Sequence, residues 1–322
     1  MKNGGATHVL VTGGCGYVGS ALVPRLQAAG DVDRVTVLDT LDNGSLGNLV
    51  GAPITDGFEF RQGDVREYAD VEAAMTDVDR VVHLAAINRR DSSAAGKAET
   101  YAVNLDGTWN VLEAARSNDV EAVVYPSSCR VYGHADRGDD AATPSPFDPY
   151  TEATVEAERL LEEFDDEPGR AGTVLRLGTV YGYAPGVRFD TPVNRFVFRA
   201  LTDRPIVIRG DAAGWHPYVH VEDAAGALAH AVRRPHRWST AVYDVGASVE
   251  QYRLADVANV VREEINPGLE VRQADEGAAG VSVRLSFDEF RDTGVAFDWT
   301  LADGVRDLAD RFVDPEQPTP RR

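Results

Sequence analysis

Three glycines spaced three residues apart carry the first chemical signal in the chain. Gly13, Gly16 and Gly19 follow the apolar run His8–Thr12 and lead into the amphipathic run Ser20–Ala29. In a strand, turn and helix, the first glycine permits a tight turn, the second lets the backbone approach a pyrophosphate, and the third allows close helix packing. The helix N-terminus offers N–H groups and a positive dipole to the phosphates. The pattern predicts a dinucleotide-binding turn.

An acidic residue at a set distance from the glycines indicates which dinucleotide is bound. Asp39 ends the next apolar run, Arg34–Leu38, about 20 residues beyond the glycines. A carboxylate there accepts hydrogen bonds from the adenosine ribose hydroxyls and repels a 2′-phosphate. The sequence therefore predicts NAD rather than NADP.

Around these residues, short apolar runs alternate with longer amphipathic runs over the first 130 residues. This alternation is typical of an α/β fold with a doubly wound parallel sheet, the Rossmann type. The predicted strands are His8–Thr12, Arg34–Leu38, Phe58–Gln62, Arg80–Leu84, Ala122–Pro126 and Thr173–Leu177. The predicted helices are Ser20–Ala29, Ala69–Met75, Thr100–Ser117, Tyr150–Glu163, Pro192–Leu201, Asp223–Arg233 and Leu254–Ile265.

The domain organisation follows from where the alternation ends. Beyond about residue 180 the pattern becomes irregular and richer in Pro, Gly and aromatic residues. We expect a dinucleotide-binding domain over 1–180, which also takes in parts of about 216–250. A smaller, interleaved substrate lobe is expected mainly over 181–313, with a frayed polar tail at 314–322.

The charge balance excludes several classes of partner. With 52 acidic and 32 basic side chains, the net charge is −20, so the chain repels phosphate backbones and anionic lipid. We expect no nucleic-acid or membrane partner. The two cysteines, Cys15 and Cys129, cannot form a disulfide framework, and the histidines show no metal-ligand spacing. These features predict a cytoplasmic protein without a metal.

The basic residues indicate the source organism. Of the 32, 30 are Arg and only Lys2 and Lys97 are Lys. An acid excess with so little Lys resembles proteins of salt-loving microbes, where molar salt screens charge repulsion to about 3 Å. A GC-rich genome would explain the Arg but not the acid excess, so we favour a halophile.

Further motifs resemble those of one enzyme family, the extended short-chain dehydrogenases/reductases. The turn has the spacing T-G-x-x-G-x-x-G, Asp64-Val65 resembles the adenine-contacting pair, and residues 83–86 resemble the H-x-A-A turn beside the cofactor. Asn104 lies in an N-x-x-G-T element, and the likeness runs from about residue 7 to about residue 312. The resemblance implies bound NAD, with contacts from Gly13, Gly16, Tyr17, Val18, Gly19, Asp39, Asp64, Val65, Leu84, Ala85, Ala86, Asn104 and Tyr150.

Within that family the chain resembles the nucleotide-sugar epimerase/dehydratase branch, and UDP-glucose 4-epimerase-like proteins in particular. Residues 127–133 resemble the S-S-x-x-V-Y-G segment that carries the catalytic hydroxyl, here Ser128. The resemblance implies that Tyr150 takes the proton of a sugar hydroxyl while Ser128 holds the same oxygen. The 4,6-dehydratases carry an Asp-Glu pair where this chain has Cys129 and Arg130, which argues against that activity.

One position departs from the family pattern Y-x-x-x-K. Thr154 stands where the family has a lysine that bonds the nicotinamide ribose and lowers the pKa of the tyrosine. An unassisted tyrosine titrates near pH 10, so about one molecule in a thousand is ionised at pH 7. We expect the cofactor still to bind, while Tyr150 loses its usual electrostatic assistance.

Four residues are candidates for substrate binding. Thr179 replaces the Asn of an R-x-x-N block, and His216 stands at an arginine position near the nucleotide phosphates. Arg195 and Arg284 could each reach a phosphate, with an ordinary surface arginine as the alternative. The resemblance also implies a homodimer that pairs the helices near Thr100–Ser117 and Tyr150–Glu163.

Three functions remain open on the sequence. The leading hypothesis is epimerisation or oxidoreduction at a sugar carbon of a nucleotide-diphosphate sugar, through a keto intermediate. The second is a reductase or dehydrogenase of a smaller hydroxy or keto substrate. The third, motivated by Thr154, is an NAD-binding scaffold with weak catalysis.

Overall fold

The computed structural model describes residues 7–50, 57–88, 93–135, 143–238, 242–246, 251–274 and 282–313. The tail predicted at 314–322 lies outside them. The strands are β1 His8–Thr12, β2 Arg34–Asp39, β3 Phe58–Gln62, β4 Arg80–His83, β5 Ala122–Ser128, β6 His134–Ala135, β7 Ala171–Leu177, β8 Thr179–Tyr181, β9 Ile206–Ile208, β10 Trp215–His220, β11 Val242–Val245, β12 Gln251–Arg253, β13 Val271–Gln273 and β14 Ser282–Val283. The helices are α1 Tyr17–Gln27, α2 Tyr68–Ala74, α3 Ala94–Tyr101, α4 Gly107–Ser117, α5 Pro149–Asp165, α6 Pro192–Leu201, α7 Val221–Arg233, α8 Leu254–Ile265, α9 Asp288–Asp292 and α10 Leu301–Val313.

Seven strands form one sheet in the order β11-β7-β5-β4-β1-β2-β3. All neighbouring pairs are parallel. Because both faces of the sheet are buried, apolar residues of the central strand β1 point to both of them: Val9 and Val11 pack on one face and Leu10 on the other. The sheet extends from β1 to β2 and β3 on one side and to β4 and the later strands on the other. The strand order therefore reverses at β1, and a crevice forms at the carboxyl ends of β1 and β4. The predicted doubly wound fold is confirmed.

The two faces of this sheet are covered by helices from different parts of the sequence. The face that carries Val9 packs against α1 and the late helix α7, whereas the face that carries Leu10 packs against α2, α4 and α5. The edge strand β11 also comes from late in the chain and pairs with β7. The main sheet and its helices are therefore completed by α7 and β11, which come later in the chain than the first strands and helix of the second lobe.

A second, smaller lobe is built on β8, β10 and β12, with α6, α8 and α10 around its own apolar core. Phe196, Val257 and Val305, one from each helix, are fully buried there. Strand β8 follows β7 after a single residue, so the two lobes meet directly beside the crevice. Of the helices in the described ranges, none is long and apolar enough to cross a membrane.

The helix predicted at Thr100–Ser117 differs from the observed one. Helix α3 begins earlier, because the Ser93 side chain accepts a hydrogen bond from the Gly96 N–H and caps it. A wider π turn at Ala102–Asp106 then joins α3 to α4. Such turns often occur at functional positions, and this one carries Asn104.

A substitution at Phe164 tests how the core supports α5, the helix that carries Tyr150. The Phe164 ring is fully buried, with the guanidinium groups of Arg116 and Arg170 at 5.6 and 5.2 Å from the ring centroid. We expect Phe164→Ala to lower the free energy of unfolding by about 3–5 kcal/mol, because the cavity removes apolar contacts. Phe312→Ala, at a ring that is 40% exposed, should cost less than about 1 kcal/mol. Denaturant unfolding of both variants checks this, and equal losses would contradict the described packing.

Candidate active site

The glycine turn lies at the carboxyl end of β1. Gly13 has a φ of 68° and donates its N–H to the Leu38 carbonyl at 2.8 Å. A Cβ at Gly13 would lie 2.6 Å from the Ala85 nitrogen, so only glycine fits between the turn and the chain after β4. A Cβ at Gly19 would lie 2.4 Å from the Gly14 oxygen, so the first turn of α1 packs directly on the loop. The close packing predicted for the third glycine, Gly19, is thus observed against the backbone of the loop.

The first turn of α1 presents its main chain to the crevice. The helix begins after Gly16, and in the described part of the chain no side chain caps its N–H groups. The amides of Tyr17 and Val18 therefore remain for an anion such as a pyrophosphate. The Tyr17 side chain points elsewhere: its hydroxyl donates to the Gly182 carbonyl at 2.6 Å and accepts from Asn194 at 3.3 Å. That side chain ties α1 to the second lobe.

Asp39 ends β2 beside the glycine turn. Its side chain is largely buried, and its two oxygens accept the Cys15 N–H at 2.9 Å and the Leu41 N–H at 2.8 Å. Each carboxylate oxygen has a further lone pair, so the group can also accept from two hydroxyls. The glycine turn, the uncapped helix and this fixed carboxylate together fit an adenine dinucleotide.

The remaining candidate cofactor residues follow β3 and β4 at the same edge of the sheet. The Asp64 carboxylate is hydrogen-bonded by Arg66, which lowers its pKa, and Val65 is buried beside Gly107. After β4, Leu84 and Ala85 are half-buried and Ala86 is exposed.

Asn104 positions that segment through its amide. Its side-chain oxygen accepts the Ile87 N–H at 2.8 Å, and its side-chain nitrogen donates to the Ile87 carbonyl at 2.9 Å. Asn104 therefore fixes the chain beyond Ala86 by bonding its backbone.

Ser128 and Tyr150 lie on neighbouring elements. Ser128 ends β5, and its hydroxyl oxygen accepts the Arg130 N–H at 3.3 Å. Tyr150 lies in the first turn of α5, which starts at Pro149 because the Asp148 carboxylate accepts the Thr151 N–H at 2.8 Å. Burial raises the pKa of Tyr150 above its usual value. The phenolate is thus disfavoured unless nearby groups stabilise it.

Thr154 occupies the buried place below Tyr150 on α5. Its hydroxyl donates to the Tyr150 carbonyl at 2.7 Å. Hydrogen bonding by the Thr154 hydroxyl lowers the pKa of Tyr150, but burial outweighs it and the net direction is upward. A neutral hydroxyl therefore stands where the family pattern has the positive charge of a lysine.

Two arginines near Tyr150 also act on its pKa. Arg130 lowers the pKa of Tyr150, Arg188 does so to a smaller extent, and Asp148 raises it. Arg130 pairs with Asp148 at 2.8 Å, and the Nε of Arg188 lies 3.0 Å from Asp190. The sequence analysis missed Arg188, because it lies in the irregular segment after β8 where no hydrophobic period marks a face.

The candidate substrate residues are spread over the second lobe. Arg284 is exposed and stacks on Trp215, with its guanidinium 5.0 Å from the ring centroid. His216 follows Trp215 on β10, and burial lowers its pKa to about 4. His216 is therefore neutral at pH 7.

The other two candidates lie on separate elements of that lobe. Thr179 begins β8 beside Tyr218 of β10, and Arg195 lies on α6 with its guanidinium 5.6 Å from the Phe196 ring centroid.

The sequence analysis also missed a buried polar network next to Ser128 and Tyr150. Glu158 on α5 accepts hydrogen bonds from Arg176 at 2.6 and 3.0 Å and from the Ser127 hydroxyl. Arg176 also donates to the Tyr132 hydroxyl at 2.7 Å, which donates to Asp244 at 2.8 Å. One signal was available, since Glu158 follows Thr154 by four residues and so lies on the same helix face.

Comparisons with known proteins agree with this geometry. Residues 9–246 match the model of the NAD dependent epimerase/dehydratase family. The low-salt glycan biosynthesis protein Agl12 of Haloferax volcanii is 27% identical over 96% of this chain and 99% of its own length. That relative is consistent with the predicted halophilic source.

Two solved structures share the fold over nearly the whole chain. The UDP-glucose 4-epimerase of Thermus thermophilus, in complex with NAD, is 30% identical with a TM-score of 0.79, covering 96% of this chain and 99% of that one. The dTDP-glucose 4,6-dehydratase DesIV of Streptomyces venezuelae, with NAD and TYD bound, is 25% identical with a TM-score of 0.83, covering 96% and 97%. Both activities of the family are thus represented among similar structures.

Asp244 gives the site region a pH dependence of stability. Burial raises its pKa from 3.8 to about 6, so the folded state favours the protonated acid and this stabilisation is lost as pH rises through 6. We expect Asp244→Asn, which keeps an acceptor for Tyr132, to gain stability over the parent by about 1 kcal/mol from pH 5 to pH 7.5. Asp292→Asn, at an exposed carboxyl, should show no such trend. Urea unfolding in molar KCl measures the difference, and a gap that narrows with rising pH would contradict the assignment.

Proposed function

The chain belongs to the NAD-dependent epimerase/dehydratase family, and from that premise we propose that it oxidises a sugar hydroxyl of a nucleotide-diphosphate sugar and reduces the keto intermediate again. NAD is the cofactor of this family, and when bound it supplies hydride acceptance and return. The observation that supports the proposal is the position of the glycine turn, Asp39 and Ser128 at the carboxyl edge of the main sheet, with Tyr150 in the first turn of α5, which packs against β5. The product is then an epimer of the substrate sugar.

The residues at the crevice divide into a binding set and a reacting pair. The N–H groups of the first turn of α1 bind pyrophosphate, and Asp39 accepts the ribose hydroxyls. The Ser128 hydroxyl donates to the substrate oxygen and holds it, while the Tyr150 oxygen takes the proton of the same group. On return of the hydride, Tyr150 gives that proton back to the sugar oxygen.

Thr154 contributes to binding rather than to charge. Its hydroxyl lies in the place of the family lysine and is compatible with a hydrogen bond to a ribose hydroxyl. Since it cannot stabilise a phenolate by charge, the rate of proton transfer depends on the other cations near Tyr150.

A nucleotide-diphosphate substrate is supported by the second lobe. Arg284, held against Trp215, offers a permanent positive charge beside β10, and His216 next to it offers neutral hydrogen bonding. The net charge of −20 makes such local cations valuable for an anionic substrate, because the rest of the surface repels it. The named activities of the similar structures also use nucleotide sugars, UDP-glucose in one and dTDP-glucose in the other.

Epimerisation is favoured over 4,6-dehydration at this site. Cys129 is buried and donates to the Arg176 carbonyl, and burial raises the pKa of its thiol far above neutrality. Arg130 is a permanent cation. Neither residue can serve as the carboxylic acid and base that dehydration needs at the adjoining sugar carbons.

Two other functions keep a specific motivation. The neutral Thr154 favours an NAD-binding scaffold with weak catalysis, and the exposure of Arg284 leaves room for a smaller hydroxy or keto substrate. Net accumulation of NADH with substrate would favour the second, because an epimerase returns the hydride.

We also propose that the protein is a homodimer through α4 and α5. The Trp109 side chain on α4 is 49% exposed and presents an apolar surface to solvent. Pairing of these helices with those of a second copy would cover it.

The reacting pair is tested by removing one oxygen at a time. Tyr150→Phe should lower turnover of the active nucleotide sugar by about 10²–10⁴-fold, because the general base is lost, with NAD affinity kept within about twofold. Ser128→Ala should lower turnover less, and Tyr68→Phe, at an exposed hydroxyl, should leave it unchanged. Product chromatography and NAD titration measure the two quantities separately. Full turnover by Tyr150→Phe would overturn the role of Tyr150.

The absence of a positive charge at position 154 leads to a second prediction. Thr154→Lys should move the pH–rate profile to lower pH and raise the rate at pH 7, because an ammonium group on the same helix face stabilises the Tyr150 phenolate. Thr154→Met, close to lysine in length but uncharged, is the matched control and should move neither. A profile that stays in place in the lysine variant would refute the electrostatic account of this position.

A further inference from the structure

Tyr150 needs a cation that its own helix does not provide. Its pKa is raised by burial, and the residue one turn below it, Thr154, is neutral. Lys97, which contacts the same helix, pairs with Glu152 at 3.1 Å on an exposed face. A phenolate at Tyr150 must therefore be stabilised from another element.

Arg130 is held between the two reacting residues. It lies in the short turn at Cys129–Tyr132 that directly follows Ser128, and its N–H donates to the Ser128 oxygen at 3.3 Å. Its guanidinium pairs with Asp148, the cap of α5, at 2.8 Å and lies 5.4 Å from the Phe147 ring centroid. The side chain is thus fixed at its backbone by the end of β5 and at its tip by the start of α5.

One donor of this guanidinium is left without an acceptor. The Arg130 Nε is buried and has no hydrogen-bond partner among the residues that the structure describes. A buried N–H that lacks an acceptor is costly, particularly on a charged group. The guanidinium lies at the start of α5, since it pairs with Asp148, two residues before Tyr150, and its charge acts on the pKa of Tyr150 and of His216. An anionic oxygen brought into this region would satisfy it.

The other charged and titratable groups around Tyr150 leave Arg130 as the main source of positive charge. Arg188, from the segment after β8, has a smaller effect on Tyr150 and is engaged with Asp190. Asp148 acts in the opposite direction, and Tyr125 on β5 is a buried phenol whose own pKa is raised by burial.

We propose that Arg130 is a positioning residue that stabilises the ionised Tyr150 oxygen, and so does from the turn after β5 what a lysine at position 154 would do from α5. This inference rests on the proposed role of Tyr150 as the base. The guanidinium keeps its charge at all working pH values, so the assistance does not titrate away. Asp148 both orients the guanidinium and moderates its effect.

The direct test is the ionisation of Tyr150 itself, measured without substrate. The tyrosinate absorbance of each variant, minus that of the same variant carrying Tyr150→Phe, isolates this hydroxyl among the 11 tyrosines. We expect Arg130→Gln to reduce the ionisation constant of Tyr150 by tenfold or more, on the order expected for loss of a nearby opposite charge. Arg130→Lys should keep most of it, and Arg188→Gln should have a smaller effect than Arg130→Gln.

Asp148 separates an electrostatic role from a structural one. Asn caps a helix about as well as Asp, so Asp148→Asn keeps the start of α5 but removes the negative charge. We expect it to shift the Tyr150 ionisation in the direction opposite to Arg130→Gln. If the ion pair only held the fold together, both variants would shift the ionisation in the same direction or leave it unchanged, and either result would overturn the proposal.

Rescue at position 154 provides a second readout. Thr154→Lys in the Arg130→Gln background should restore the ionisation of Tyr150 and move the pH–rate profile back, because the charge returns from another side. Failure of rescue in a folded double variant would count against an electrostatic role. Ionisation shifts as expected without turnover of any nucleotide sugar would support Arg130 and defeat the proposed function, whereas turnover without the shifts would do the reverse.

Discussion

The buried ion pair between Glu158 and Arg176 is the interaction on which the candidate active site depends. Glu158 lies two turns beyond Tyr150 on α5, and it also accepts the hydroxyl of Ser127, the neighbour of Ser128. Burial opposes the charge of Arg176, yet its hydrogen bonds to Glu158 raise its pKa above the usual value, so Arg176 stays charged. Removing one partner would leave an unpaired buried charge, at a cost of about 3–5 kcal/mol. The pair thereby holds α5, β5 and β7 in fixed positions relative to one another.

The candidate active site includes local positive charge although the chain as a whole is strongly acidic. Arginines supply this local charge from several elements: Arg130 follows β5, Arg188 follows β8 and Arg284 follows β14. Thr154 removes the one cation that would lie on the tyrosine's own helix. A site assembled this way depends on the relative placement of strands and loops, because no single element carries both the proposed base and its proposed charge partner.

The sequence predicted best what depends on local backbone geometry. The strands His8–Thr12 and Phe58–Gln62 and the helix Leu254–Ile265 have the predicted bounds, and the glycine turn and Asp39 meet because parallel strands end at one edge. The π turn before α4 was missed, since no residue pattern distinguishes it from a regular helix. The Tyr132 and Asp244 network and the role of Arg188 depend on contacts between residues far apart in the chain, which neither periodicity nor spacing records.

The central claim is that a nucleotide sugar is oxidised and reduced again on NAD that stays bound. It is tested most directly in molar KCl with the purified protein, NAD and a panel of nucleotide sugars carrying deuterium at the carbon to be oxidised. The account predicts a transient bound NADH signal, no net NADH in solution, and an epimerised product that retains the deuterium. Tight NAD binding with no reduction by any sugar, or net NADH with a keto product, would contradict it.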